Sequence, residues 1–132
     1  MKKRQTISNS FNGGQVDENV GQKITETERE AIRNLYTRIK DEFLIDKIIL
    51  FGSKARGDAE KYSDVDLLVL TNTTKTRNDR ERLSDIAADI NIDYGVALSC
   101  LYFNLSEWEL GDSVNPFLKD NIEKEGIVLD VS

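Results

Sequence analysis

Phe51-Gly52-Ser53-Lys54-Ala55-Arg56-Gly57-Asp58-Ala59-Glu60-Lys61-Tyr62-Ser63-Asp64-Val65-Asp66-Leu67-Leu68-Val69 is the stretch on which both the fold and the chemistry turn. Lys47 to Phe51 is a short apolar run ending at Gly52, which reads as a buried strand. Residues 52–63 form a polar loop with two glycines, and Val65 to Leu70 reads as a second strand. Asp64 and Asp66 flank Val65 where that strand starts. Side chains alternate along a strand, so both carboxylates fall on one face and Val65 on the other. Their Cα atoms then lie roughly 6.5–7 Å apart, and the carboxylates can converge on one or two cations. Hard oxygen donors suit Mg²⁺ or Mn²⁺ rather than zinc. At the other end, Gly52 lets the backbone approach a ligand closely. Exposed N–H groups and the Ser53 hydroxyl are suited to phosphate oxygens, and Lys54, Arg56 and Lys61 bring charge able to neutralise a triphosphate. A Gly-Ser turn alone is usually only a turn, and an Asp-x-Asp alone usually a solvated strand edge. Together, at this spacing, they describe a metal–nucleotide site of the kind used in phosphoryl and nucleotidyl transfer.

Outward from this stretch, helices and strands alternate. Thr25 and Glu28 have capping-box spacing, and Ile32, Leu35, Tyr36, Ile39 and Phe43 recur at helical period behind them. A second helix is predicted from Lys75 to about Asn91, with Leu83, Ile86, Ala87 and Ile90 on one face. Val96 to Phe103 reads as a third strand. Ser106 and Glu109 suggest a cap on a short turn carrying Trp108, taken as a packing anchor. Asn115-Pro116 opens a helix running to about Glu125 and ended by Gly126. Ile127 to Val131 reads as a last strand. The pattern predicts an α/β (α+β) domain over residues 23–132, a small mixed sheet flanked by helices. Residues 1–22 hold too few apolar groups to offset the entropy of ordering them and read as a flexible N-terminal arm.

At 132 residues the chain is the size of one domain. It has no histidine, which excludes Ser-His-Asp and Cys-His triads, a histidine base and a His-ligated zinc. Its single cysteine, Cys100, sits among apolar residues and reads as an inert core thiol; intrachain disulfides and thiolate clusters are excluded. This usage fits a reducing cytoplasm. No apolar stretch approaches the roughly 18 residues of a membrane helix. Net charge is −6, concentrated in residues 83–132, where Lys119 and Lys124 stand against ten acidic groups. Such a surface disfavours duplex nucleic acid and suits a basic protein partner, or simply solubility. The basic run Lys75, Arg77, Arg80 and Arg82 reads as a solvated helix face.

Gly52-Ser53, ten residues, then Asp64-Val65-Asp66 resembles the signature of the DNA-polymerase-β-like nucleotidyltransferase superfamily. The fuller string around it, with the closing Asn115-Pro116-Phe117, Asn121-Ile122 and Glu125-Gly126, is similar to its minimal nucleotidyltransferase branch, over roughly residues 25–131. The resemblance implies a nucleotidyltransferase fold in which Gly52 and Ser53 bind nucleotide phosphates, with Arg56 assisting. Asp64 and Asp66 would be catalytic ligands of Mg²⁺ (or Mn²⁺). It implies an enzyme passing NMP from an NTP, ATP above all, to a hydroxyl. Members of this branch often act as antitoxins paired with a helical HEPN-type toxin, and some transfer AMP onto it. The superfamily's third catalytic carboxylate belongs on the neighbouring strand, and Val96–Phe103 holds no acid. Asp93 stands ahead of that strand; Ser99 or Leu101 falls near the expected place, with the register open. The alternative reading is therefore a catalytically weak module that binds and neutralises a protein partner, and self-association closing the site is a further possibility.

Overall fold

The computed structural model describes residues 23–60, 63–73 and 77–130; the expected arm over residues 1–22 lies outside them. Helix α1 (Glu26–Phe43) opens with the capping box read from the sequence. Glu28 N donates to Thr25 Oγ1 at 3.0 Å and Thr25 N to Glu28 Oε1 at 2.9 Å, satisfying two of the helix's orphan donors. Leu44 adopts a left-handed conformation (φ 48°) and turns the chain directly into β1 (Ile45–Phe51). There follow α2 (Gly52–Arg56), β2 (Val65–Thr71), α3 (Arg77–Tyr94), β3 (Leu98–Asn104), α4 (Leu105–Leu110), α5 (Pro116–Glu125) and β4 (Ile127–Val128).

The four strands among the described residues form one mixed sheet in the order β3-β2-β1-β4. β1 runs antiparallel to β2 and β4, and β2 runs parallel to β3. The parallel pair needs a long crossover, which α3 supplies. Alternation sorts the strand residues onto two apolar faces. Ile48, Leu50, Val65, Leu67, Val69, Leu98 and Tyr102 pack with α1 and α3. Ile49, Leu68 and Leu70 pack with Trp108 of α4, Ile122 of α5 and Val114 between those helices. Coverage of both faces explains why Ile48–Leu50 and Leu67–Leu70 are continuous apolar runs. Trp108 anchors the second face as expected: it is 1% exposed, with its ring centroid 5.7 Å from that of Phe103.

Three boundaries differ from the sequence reading. β3 starts at Leu98, not Val96, because the Asn91 side chain takes the Leu98 N–H (2.9 Å) and donates to its carbonyl (3.1 Å), so the preceding residues close the α3 turn. The cap of α4 is Asn104 with Glu107, not Ser106 with Glu109. β3 runs straight into this helix, and the segment carrying Trp108, expected as a short turn, is helical over Leu105–Leu110. β4 comprises Ile127–Val128 and Val131 lies outside the described residues. Asn115 caps α5 as predicted, accepting from Phe117 N and Leu118 N, with Pro116 at its start. Gly126 ends α5, but its conformation is extended (φ −66°, ψ 145°) rather than left-handed. Space is what it supplies: a Cβ there would lie 2.5 Å from Ile122 O and 2.7 Å from Ile49 Cγ2. Gly126→Ala is therefore expected to cost about 1–3 kcal/mol by overpacking the junction of α5 with the sheet, read as a lower urea midpoint at unchanged slope.

Candidate active site

Phe51, Asp66 and Ser99 are paired in register across β1, β2 and β3 at one end of the sheet. Val65 is fully buried in the α1/α3 core. Alternation then turns Asp66 to the opposite face, beyond the part covered by α4 and α5, where it is half-buried; Asp64, just ahead of the strand, is exposed. Burial is the main cause that pushes the Asp66 carboxyl above its ordinary value; repulsion from Asp64 adds to it, and the Arg56 guanidinium opposes both. The two carboxylates and Arg56 thus share one field.

The other end of the motif meets them there. Gly52 has φ +76°, a conformation disfavoured for residues with a side chain. A Cβ built on it would run into Asp66 Oδ2 and lie 3.2 Å from Asp66 Cγ. The Asp66 carboxylate therefore rests against the Gly52 backbone, and Ser53, next along, is half-buried beside it. The loop is held from behind. Gly57 N and Asp58 N donate to Ser53 O at 2.9 and 3.1 Å, and Lys23 Nζ donates to Ala55 O at 2.9 Å.

The cations of the loop divide. Arg56 is exposed on the rim, with Nε 3.2 Å from Asp58 Oδ2 and Nη1 3.3 Å from Glu125 Oε1. Lys54 does not face a ligand, contrary to expectation: it is 6% exposed and its Nζ lies 3.2 Å from Glu28 Oε2. α2 packs Lys54 and Ala55 inward, so the ammonium locks the loop onto the start of α1. Lys54→Met is expected to cost about 1–2 kcal/mol by leaving the Glu28 carboxylate unpaired, with nucleotide affinity unchanged; a tenfold loss of affinity would restore Lys54 as a phosphate ligand. Lys61 lies outside the described residues. Glu125, at the end of α5, is a rim residue to which the sequence reading gave no role at the site. Its only local signal is an acid ahead of Gly126.

The register settles the neighbouring strand. Ser99 stands beside Asp66 and Leu101 beside Leu68. Asp93 is exposed on the last turn of α3, not on β3. Among the described residues no group of three or more acidic or thiol side chains is assembled for a metal. Neither Asp64 nor Asp66 accepts a hydrogen bond from a described residue. Two carboxylates in one field, one of them resting against the Gly52 backbone, fit a hard divalent cation completed by phosphates and water.

The remaining candidates are structural. Cys100 is half-buried and its thiol is pushed up to about 11 by desolvation, which makes it unreactive. Arg82 pairs with Glu42 at 2.8 Å and Arg80 lies 6.0 Å from the Phe103 ring centroid. Lys75 and the Arg77 side chain lie outside the described residues. No described helix is long and apolar enough to cross a membrane.

A mixed sheet that brings a Gly-Ser loop against an Asp-x-Asp pair is the arrangement of a nucleotidyltransferase, and comparison with known proteins agrees. The profile of the nucleotidyltransferase domain family matches residues 32–129. Three Methanocaldococcus jannaschii proteins, each named "Putative protein adenylyltransferase", are similar in sequence. One is 33% identical over 81 residues, 61% of this chain and 80% of the relative. Another is 40% identical over 96 residues, 64% of this chain and 65% of the relative. The third is 32% identical over 104 residues, 77% of this chain and 97% of the relative. A solved "putative minimal nucleotidyltransferase" superposes with a TM-score of 0.52 at 27% identity, covering 80% of this chain and 97% of that one. A "toxin-antitoxin with AMP-PNP" shares the fold, with a TM-score of 0.51 at 19% identity over 76% of this chain and 73% of that one. The chain belongs to the nucleotidyltransferase domain family, in its minimal nucleotidyltransferase branch.

Proposed function

We propose that this chain binds Mg–ATP and transfers AMP to a hydroxyl of a partner protein, releasing pyrophosphate. The observation that supports the reading is the contact of the Asp66 carboxylate with the Gly52 backbone, since a metal held by that carboxylate would lie beside phosphates held by the loop. Gly52 and Ser53 hold phosphate oxygens through backbone N–H groups and the Ser53 hydroxyl. Arg56 lies at the rim, within reach of the same anion. Asp64 and Asp66 hold Mg²⁺ (or Mn²⁺), which, when bound, neutralises charge on the phosphates and the leaving pyrophosphate. The acceptor oxygen bonds to the α-phosphorus, the bond from that phosphorus to the bridging oxygen of the β-phosphate breaks, and the acceptor proton passes to solvent.

A protein acceptor is supported by the names of the three relatives and by the openness of the site, where Asp64 and Arg56 are exposed. A docked partner supplies the missing wall, and the charge of residues 83–132 steers a basic one. The resemblance names a helical HEPN-type toxin as that partner, in keeping with the fold neighbour solved as a toxin–antitoxin. The absence of an acid on β3 favours a second reading, a weak enzyme that neutralises its partner by binding.

Incubation with co-purified partner and ATP labelled at the α-phosphate tests both. Label on the partner, with pyrophosphate carrying the label when the γ-phosphate is labelled instead, is the expected result. Binding of ATP and partner without label leaves the neutralising module. Failure to bind Mg–ATP overturns the proposal.

A further inference from the structure

Ser99 stands beside Asp66 across the β2–β3 pair, on the open side of the site. Parallel register pairs the two residues, and Val65 N donates to Ala97 O at 2.8 Å on the same ladder. Laterally paired residues point to the same side of a sheet and their strands lie about 4.8 Å apart. Leu98 is buried and Cys100 half-buried in the α1/α3 core, so alternation turns Ser99 to the face of Asp66, where it is exposed. A side chain at position 99 can therefore reach whatever Asp66 holds.

What stands there is a neutral hydroxyl. Asp64 and Asp66 together bring two negative charges, which balance one divalent cation. A second cation about 3.5–4 Å from the first needs bridging carboxylates to offset the repulsion between the ions. No third acid joins the cluster among the described residues. Asp93 is on α3, and Glu107, after β3, is committed to capping α4.

We infer that Ser99 fixes this as a one-cation site: Asp64 and Asp66 bind a single divalent ion with the nucleotide, and residue 99 determines whether a second enters. The inference rests on the metal–nucleotide reading proposed above and specifies its stoichiometry. Nucleotide binding is then largely independent of position 99, whereas transfer is slow because no second ion activates the attacking hydroxyl.

The test counts Mn²⁺ bound per chain by electron paramagnetic resonance at saturating AMP-PNP, with binding to free nucleotide subtracted. Wild type, Ser99→Ala and Ser99→Asn are expected to hold one ion each, and Ser99→Asp two. All four are expected to bind AMP-PNP, which also reports that each variant is folded. Transfer by Ser99→Asp is expected to rise on the order of tenfold or more. Two ions on wild type, or one on a Ser99→Asp protein that still binds AMP-PNP, overturns the inference and leaves the nucleotide reading intact. If wild type and Asp66→Asn alike bind neither Mn²⁺ nor AMP-PNP, the nucleotide reading itself falls and the inference with it.

Discussion

Asp66→Asn is expected to weaken Mg–ATP binding severely while making the free protein more stable at neutral pH. The two effects have one origin. Desolvation and the neighbouring Asp64 both disfavour the Asp66 carboxylate, raising its carboxyl above the ordinary 3.8. A carboxyl that titrates higher in the folded than in the unfolded chain binds more protons when folded, so stability falls as pH rises between the two values. Above that window the native state carries an unfavourable charge that asparagine lacks. The stability gain of Asp66→Asn should thus be absent near pH 3, appear as pH rises through and above about 4, and then level off. With a cation present the sign reverses, because attraction to a divalent ion exceeds repulsion from one carboxylate. Loss of that ligand should reduce nucleotide affinity on the order of a hundredfold or more. Asp64→Asn should have much the same effect, and the double variant little more than either, since one remaining carboxylate is a poor site. Thermal melts from pH 3 to 8 with and without Mn²⁺, with calorimetry on all four proteins, decide the matter. Equal Mg–ATP binding by the four would remove the metal site. A lower melting temperature for metal-free Asp66→Asn at pH 7 would remove the electrostatic account of the pair.

What the sequence discloses and what it withholds divide along a physical line. Thr25 with Glu28, and Asn115 with Pro116, are legible because capping joins residues within one turn, where identity nearly dictates geometry. The meeting of Gly52 with Asp66 is legible because a strand–loop–strand unit must bring its two ends together. Lys54 is not. Its role depends on Glu28, 26 residues earlier in the chain, and a lysine in a polar loop looks the same whether it faces a phosphate or a buried carboxylate. Position 99 is likewise hidden. Ser99 and Leu101 both lie near the carboxylates in any plausible pairing, and only the β2–β3 register, fixed by the packing of α3 across the sheet, separates them. The cap of α4 falls between these cases: Asn104 and Ser106 are both competent caps, and the length of β3 decides which is used.

Gly52→Ala should be the most damaging small substitution in the loop, and its cost should separate into two measurable parts. The first is conformational. At φ +76° a residue with a Cβ is strained by roughly 1–2 kcal/mol. Gly57 provides the reference, since it has φ +86° and a Cβ added there would meet nothing within 4 Å. Gly57→Ala should therefore lose about 1 kcal/mol and leave nucleotide binding close to wild type. The second part is steric and belongs to Gly52 alone, because its Cβ would displace the Asp66 carboxylate. Either the carboxylate rotates away or the loop lifts from β2; both separate the phosphate-binding backbone from the metal-binding pair. The total should reach about 2–4 kcal/mol, with Mg–ATP binding lost. Asp66→Ala removes the obstacle, so adding Gly52→Ala to it should cost only the conformational part. The coupling in that cycle should be about 1–2 kcal/mol, while Gly57→Ala with Asp66→Ala should be additive. Denaturant melts of the six proteins yield both numbers. A Gly52→Ala protein that binds Mg–ATP normally, or costs no more than Gly57→Ala, would show that the glycine serves the turn alone and that the carboxylate does not depend on its missing side chain.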